Sequence, residues 1–351
     1  MEGDITVDLG PGVHAPFTLD ARDSGTVNAR VVYQGSSAPD APQTVVSAGV
    51  EVPPHLCKER LKTASDPVVV CDLSSLELNQ TTTLGFRASA VSFGGAPTIL
   101  ARYPNVGNGS VWNGTYQWLY ADLGGNSSFS LNSSNPDAKR VASWASTSGA
   151  MIQGYFVWDW NDAFTAIVGG GENPDGSTTI KVDHAGAIKP LARFIGMNML
   201  AELDAPNEVF IDARQEKLYF YPPTPLAQWG PSEQLVISKN ATAIALDGVT
   251  DVTLKDMTVL AAASGGITAT GVNRTHIVNC NVHACGGTGI HLSGYDSAVE
   301  ACEVYGVGGA GVHVGGGDVP TLTPGNNTVR ACNIHHYSLW KRTCESTAVQ
   351  H

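Results

Sequence analysis

Two histidines, His291 and His313, sit at the centres of two look-alike triplets, Ile290-His-Leu292 and Val312-His-Val314. In a strand, successive side chains point to opposite faces, so buried flanking aliphatics turn both histidines outward. Asp318 follows in Gly315-Gly-Gly-Asp318, ahead of an insertion near Val319–Gly325 with the look of a groove wall. Glu303 is the nearest acidic partner for Asp318 in repeat order. Imidazoles and carboxyls move protons, and two carboxyls about 5.5 Å or 6.5–9.5 Å apart would suit glycoside hydrolysis. Plainer readings compete: outward histidines are often simple surface, Asp318 among glycines is a turn-former, and Glu300 and Glu303 are solvated face.

A second cluster, His335, His336, Trp340, Lys341 and Arg342, combines stacking and charge-assisted donors suited to a sugar or carboxylate. It could equally pack against a further coil. No acidic ladder recurs at the repeat spacing and no His/Cys set has zinc spacing, so no metal or cofactor is expected. Gly169-Gly-Gly-Glu-Asn173 and Gly315-Gly-Gly-Asp318 do not sit between a strand and a helix, so they read as turns and not as phosphate loops.

The elements that position these residues come from a repeat. Triplets begin at Ile244, Ile267, Ile290 and Val312, at steps of 23, 23 and 22. Each is followed by a turn, a second short strand, and a closing segment: Asp256-Met-Thr-Val259, Asn279-Cys-Asn-Val282, Ala301-Cys-Glu-Val304 or Ala331-Cys-Asn-Ile334. This is the mark of a parallel β-helix. The charged share of 15 %, against about 25 % in typical domains, and the 39 glycines fit such a solenoid. Ala245, Thr268, His291 and His313 should stack outward. Met257, Cys280, Cys302 and Cys332 should stack inward as a thiol ladder, because parallel Cβ vectors do not suit a disulfide. Cys57 and Cys71 bracket a short loop and are expected to be bridged; Cys285 and Cys344 look unpaired.

Three regions follow. Residues 1–55 read as first β-helix strands, 56–232 as an inserted aromatic-rich β region, and 233–351 as regular coils. Within the insertion, Gly154–Trp160 reads as a strand, and Glu208–Asp212 with Lys217–Tyr221 as a hairpin. Lys189–Glu202 is the best helical candidate. Trp112, Tyr116, Trp118 and Tyr120 alternate, and Trp158 and Trp160 repeat at strand spacing. Buried core is the default for such aromatics, and a sugar-stacking platform the alternative. Nothing after Cys332 reads as a cap, so the last coil, 312–334, is expected to fray.

A net charge of −12 disfavours nucleic acid and anionic membranes as partners. No apolar run reaches the roughly 18 residues of a membrane span. The N-terminus encodes no signal peptide. Yet eight glycosylation sequons occur, at Asn79, Asn108, Asn113, Asn126, Asn132, Asn240, Asn273 and Asn326. They favour an extracellular or secretory-route protein whose leader is not in this chain.

Several motifs are similar to known proteins: Asp23-Ser-Gly-Thr26, Val46–Val52, Ala101-Arg-Tyr-Pro-Asn105, Leu218-Tyr-Phe-Tyr-Pro-Pro223, Leu322-Thr-Pro-Gly-Asn326 and Trp340-Lys-Arg-Thr343. Together they resemble right-handed parallel β-helix proteins of the pectate-lyase-like superfamily, nearest to the β-helix glycoside hydrolases and their uncharacterised relatives. The resemblance implies an all-β right-handed solenoid and raises Asp318 as a site residue. Such proteins begin with a further strand and helix and continue for several coils, so it also implies a C-terminally truncated chain.

The expected function is a glycoside hydrolase-like protein acting on a polysaccharide or glycan, with Asp318, His313, His291 and Glu303 as catalytic candidates. His335, Trp340, Lys341 and Arg342 are the substrate-binding candidates. The alternative is a non-catalytic extracellular glycan-binding or matrix scaffold, or an inactive fragment.

Overall fold

The computed structural model describes residues 3–36, 43–60, 67–78, 91–107, 116–183, 186–343 and 347–350. Trp112, Cys344 and the sequons at Asn79, Asn108 and Asn113 lie outside these residues.

Six coils stack through three parallel sheets of six strands each. Sheet one contains Ile5–Asp8, Val31–Gln34, Val252–Lys255, His276–Val278, Ala298–Glu300 and Thr328–Arg330. Sheet two contains Gly12–His14, Thr44–Ser47, Thr258–Leu260, Asn281–His283, Glu303–Tyr305 and Asn333–His335. Sheet three contains Phe17–Leu19, Thr242–Asp247, Gly265–Asn273, Ile290–Tyr295, Val312–Gly316 and Val349–Gln350. The strands up to Ser47 thus form the first coil and part of the second, and Val252–Lys255 continues the ladder directly from Val31–Gln34.

Alternation within each triplet decides what is inside. Ile244, Ile267, Ile290 and Val312 are fully buried, as are Ala269 and Leu292, in one core along the solenoid axis. Met257, Cys280 and Cys302 join that core, with Cys332 packed at its end. Burial pushes the Cys285 thiol up to about 12, so it is uncharged near neutrality. Between sheets one and two, a single left-handed residue makes each bend: Asp256, Asn279, Ala301 and Ala331, with φ of 59°, 50°, 52° and 54°. Asp and Asn tolerate that region, and alanine there costs about 1–2 kcal/mol. The Asn279 amide also donates to Asp256 Oδ1 at 2.6 Å, linking adjacent bends.

The insertion leaves the second coil between its sheet-two and sheet-three strands and folds into largely antiparallel sheets. Glu208–Asp212 and Lys217–Phe220 form the hairpin read from sequence. Cys57 and Cys71 are disulfide-bonded across paired strands. Lys189–Glu202 is not a helix. It contains the strand Arg193–Met197, flanked by Met151–Tyr155 and Arg102–Tyr103. Phe194, Ile195 and Met197 are all buried, and that two-sided burial imitates a helical apolar run. The α-helix is Ala138–Trp144, which buries Ala138, Val141 and Trp144; seven residues are too few for a clear period.

The tail also departs from expectation. Val349 pairs with Val312, completing a sixth coil, and Leu339 and Trp340 are buried. Residues 336–343 leave the same sheet-two-to-sheet-three corner as the insertion, four coils further on. The two meet there. Gln153 Nε2 donates to the Trp340 carbonyl at 2.7 Å, Tyr155 donates to the Arg342 carbonyl at 2.9 Å, and the Arg342 N–H donates to Asp162 at 3.1 Å.

Candidate functional site

The outward column of sheet three runs Thr18, Ala245, Thr268, His291, His313. Both histidines are half-buried, and their Nδ1 atoms are 3.0 Å apart. One proton can bridge that gap, since one ring must donate and the other accept. Burial and the neighbouring His313 ring hold His291 below the usual imidazole value. The two rings form one hydrogen-bonded pair.

Asp318 does not join it through any hydrogen bond. Its carboxylate accepts from the Thr321 N–H at 3.2 Å and from the Thr321 hydroxyl, while its backbone pairs with Thr323 at 2.8 and 3.0 Å. That is a self-contained turn. Val319 and Leu322 at its tip are 85 % exposed. Glu303 stands on sheet two, whereas Asp318 follows the sheet-three strand. The expected Asp318–Glu303 partnership therefore spans two faces of the solenoid, because coil order says nothing about which corner a residue occupies.

Sheet two carries a richer outward face. One column is Thr258, Asn281, Glu303 and Asn333; the next is Leu260, His283, Tyr305 and His335. The rings stack nearly parallel, His283 on Tyr305 at 4.9 Å and Tyr305 on His335 at 5.1 Å. Glu303 lies 3.5 Å from His335 Nε2 and accepts from the Asn333 amide at 3.2 Å. Burial holds His283 below the usual imidazole range and raises the Tyr305 phenol. His283 Nδ1 and Asn281 Oδ1 are buried without a hydrogen-bond partner. This surface offers stacking rings, amides and a carboxylate together, which the sequence reading dispersed among separate clusters.

The tail candidates divide. His335 belongs to the sheet-two face. Trp340 is 7 % exposed and packs at Gly308 and against the insertion core, so it is not a free stacking platform. Arg342 lies 3.5 Å over the Tyr116 ring, inside the joint between insertion and tail. Lys341 is exposed.

Sequence reasoning missed one buried acid and gave the exposed indoles only as its alternative reading. Glu208 is 2 % exposed, and burial pushes its carboxyl up to about 8, a value suited to an acid catalyst. It nonetheless accepts the Asp204 and Ala205 N–H groups at 3.1 Å each and caps their turn out of reach of a substrate. Trp158 and Trp160, expected in the core, are 53 % and 51 % exposed in the loop after Met151–Tyr155. Tyr120 is likewise exposed. Tyr116 and Trp118 pack partly buried against the insertion core. Among the described residues, no group of three or more His, Cys, Asp or Glu is arranged to hold a metal ion.

Residues 265–348 match the family described as right handed beta helix region. A solved structure described as a glycoside hydrolase is similar at a TM-score of 0.68 and 15 % identity, across 89 % of this chain. The chain spans 60 % of that structure's length, and at this identity the likeness speaks for fold. No curated protein matches the chain at a significant level. Stacked parallel coils and in-register inward columns give this chain a right-handed parallel β-helix fold, and the family match falls on its later coils.

Proposed function

We propose that the chain is a carbohydrate-active β-helix protein, glycoside hydrolase-like, working on a polysaccharide or glycan laid along the outer face of sheet two. The observation that carries this reading is the ladder Asn281/His283, Glu303/Tyr305, Asn333/His335. Stacked rings suit sugar faces, and amides suit hydroxyls. Glu303, 3.5 Å from His335 Nε2, is the carboxyl that this reading assigns to the glycosidic oxygen. The fold-level likeness to a glycoside hydrolase supports the reading by analogy. Four of the described sequons, Asn126, Asn132, Asn240 and Asn326, carry exposed asparagines, in keeping with a secretory route. The test is reducing-sugar release from a glycan panel by the full chain. Cleavage of at least one glycan is expected, with Glu303→Gln lowering the rate by about 10²–10⁴-fold. No cleavage of any glycan would overturn the hydrolase reading.

A second reading is a non-catalytic glycan-binding scaffold. The separation of Glu303 and Asp318 onto different faces favours it. Glycan-array binding without turnover, unaffected by Asp318→Asn and His313→Ala, would support this second reading.

A further inference from the structure

The loop 156–162 of the insertion presents two indoles to solvent. Trp158 and Trp160 have ring planes within 20° of each other and centroids 6.3 Å apart. Large exposed aromatics grouped in this way mark interaction sites more often than scattered ones do. The loop is held from several sides. Gln153 Nε2 donates to Asp162 at 2.7 Å, Arg193 donates to the Asp159 carbonyl at 2.9 Å, and the Lys189 N–H donates to the Phe156 carbonyl at 2.9 Å. So held, the indoles are preorganised, which lowers the entropy cost of binding.

Beside them lies a cleft of about 330 Å³, lined by Trp158, Lys189, Pro190 and Leu191 and by Asp159, whose carboxylate is paired with Arg193. Leu191 is 71 % exposed. The Lys189 ammonium stands 4.5 Å over the Trp158 ring. Arg193, the other cation of this region, is engaged by Asp159 at 3.4 Å. Among the described residues, no carboxylate lies within ion-pairing distance of Lys189. The chain's negative charge is screened beyond about 8 Å at physiological salt, so this local cation governs what binds beside it.

We infer that Trp158, Trp160 and Lys189 form a saccharide-binding site on the insertion, for a pyranose carrying an acidic group. The apolar C–H face of the sugar lies on the indoles, and its carboxylate pairs with Lys189 by a charge-assisted hydrogen bond. This site is separate from the sheet-two face and does not depend on turnover there.

The test is quenching of tryptophan fluorescence in the full chain by a glucuronate trisaccharide and by the neutral glucose trisaccharide of the same linkage. The acidic sugar is expected to bind about tenfold more tightly than the neutral one. Trp160→Ala should weaken both about tenfold or more, and Lys189→Gln should bring the acidic sugar to the neutral level. Trp160 is half exposed, so the thermal unfolding of its variant should match the parent and exclude misfolding. Glu303→Gln should bind both sugars as the parent does, even if all hydrolysis is lost. Absence of quenching by either sugar, equal binding of the two, or unchanged binding by Trp160→Ala would overturn the inference.

Discussion

At the scale of single residues, Asp251 is a buried charge, 1 % exposed at a corner between sheets three and one. Its carboxylate accepts from Arg274 Nε and Nη2, both at 2.8 Å, with Arg30 at 3.8 Å. The Arg274 guanidinium holds it below the usual carboxylate value. A depressed folded value stabilises the fold at pH above the unfolded carboxyl's, about 4, and that stability is lost as pH falls through the lower folded value. Asp251→Asn is therefore expected to be less stable than the parent at neutral pH. It should also lose less stability between about pH 5 and pH 2. Urea melts across that range check this, and identical acid profiles for the two proteins would refute the assignment.

At the scale of elements, the corner between sheets two and three decides how insertion and tail are seated. Gly308 sits where a Cβ would meet the Gly286 carbonyl and the Trp340 ring. Neither can retreat easily, one being backbone of the adjacent coil and the other buried against the insertion. Gly308→Ala is expected to destabilise the protein by about 1–3 kcal/mol, as overpacking does. At the next position, Gly309→Ala would bring its nearest contact only to 3.3 Å and should cost less. Denaturant melts of the two variants make the comparison, and equal stability would show that the Trp340 seat is soft.

For the whole molecule, stability should be graded along the solenoid, because each coil depends on its neighbours. Ile277, Cys280 and Val282 are within 1 % of complete burial, while Val329, Cys332 and Ile334 of the last coil are only partly covered. Among the coils from 252 onward, amide exchange is expected to be fastest at 328–335 and slowest at 276–304. The docked tail confines the weak zone to the sixth coil, whereas the sequence suggested that fraying would extend over 312–334. Uniform protection from 252 to 335 would contradict this gradient.

The coil is legible in the order of the amino acids. Aliphatic triplets at steps of 22 or 23, with Asn, Asp, Ala or Gly at the bends, specify inward and outward faces locally. His291 and His313 were placed correctly on that basis, and so was the inward Cys280–Cys302 column. Which face is chemically equipped depends instead on how the coils and the insertion pack. The Glu303–Tyr305–His335 surface needs three coils in register. The seat of Trp340 needs Gln153, 187 residues earlier in the chain, to reach across from the insertion. Strand period reports which side of a sheet a residue takes, but not which corner a long excursion returns to. That return is set by packing between segments far apart in sequence, and so were the burial of Trp340, the exposure of Trp158 and Trp160, and the strand at Arg193–Met197.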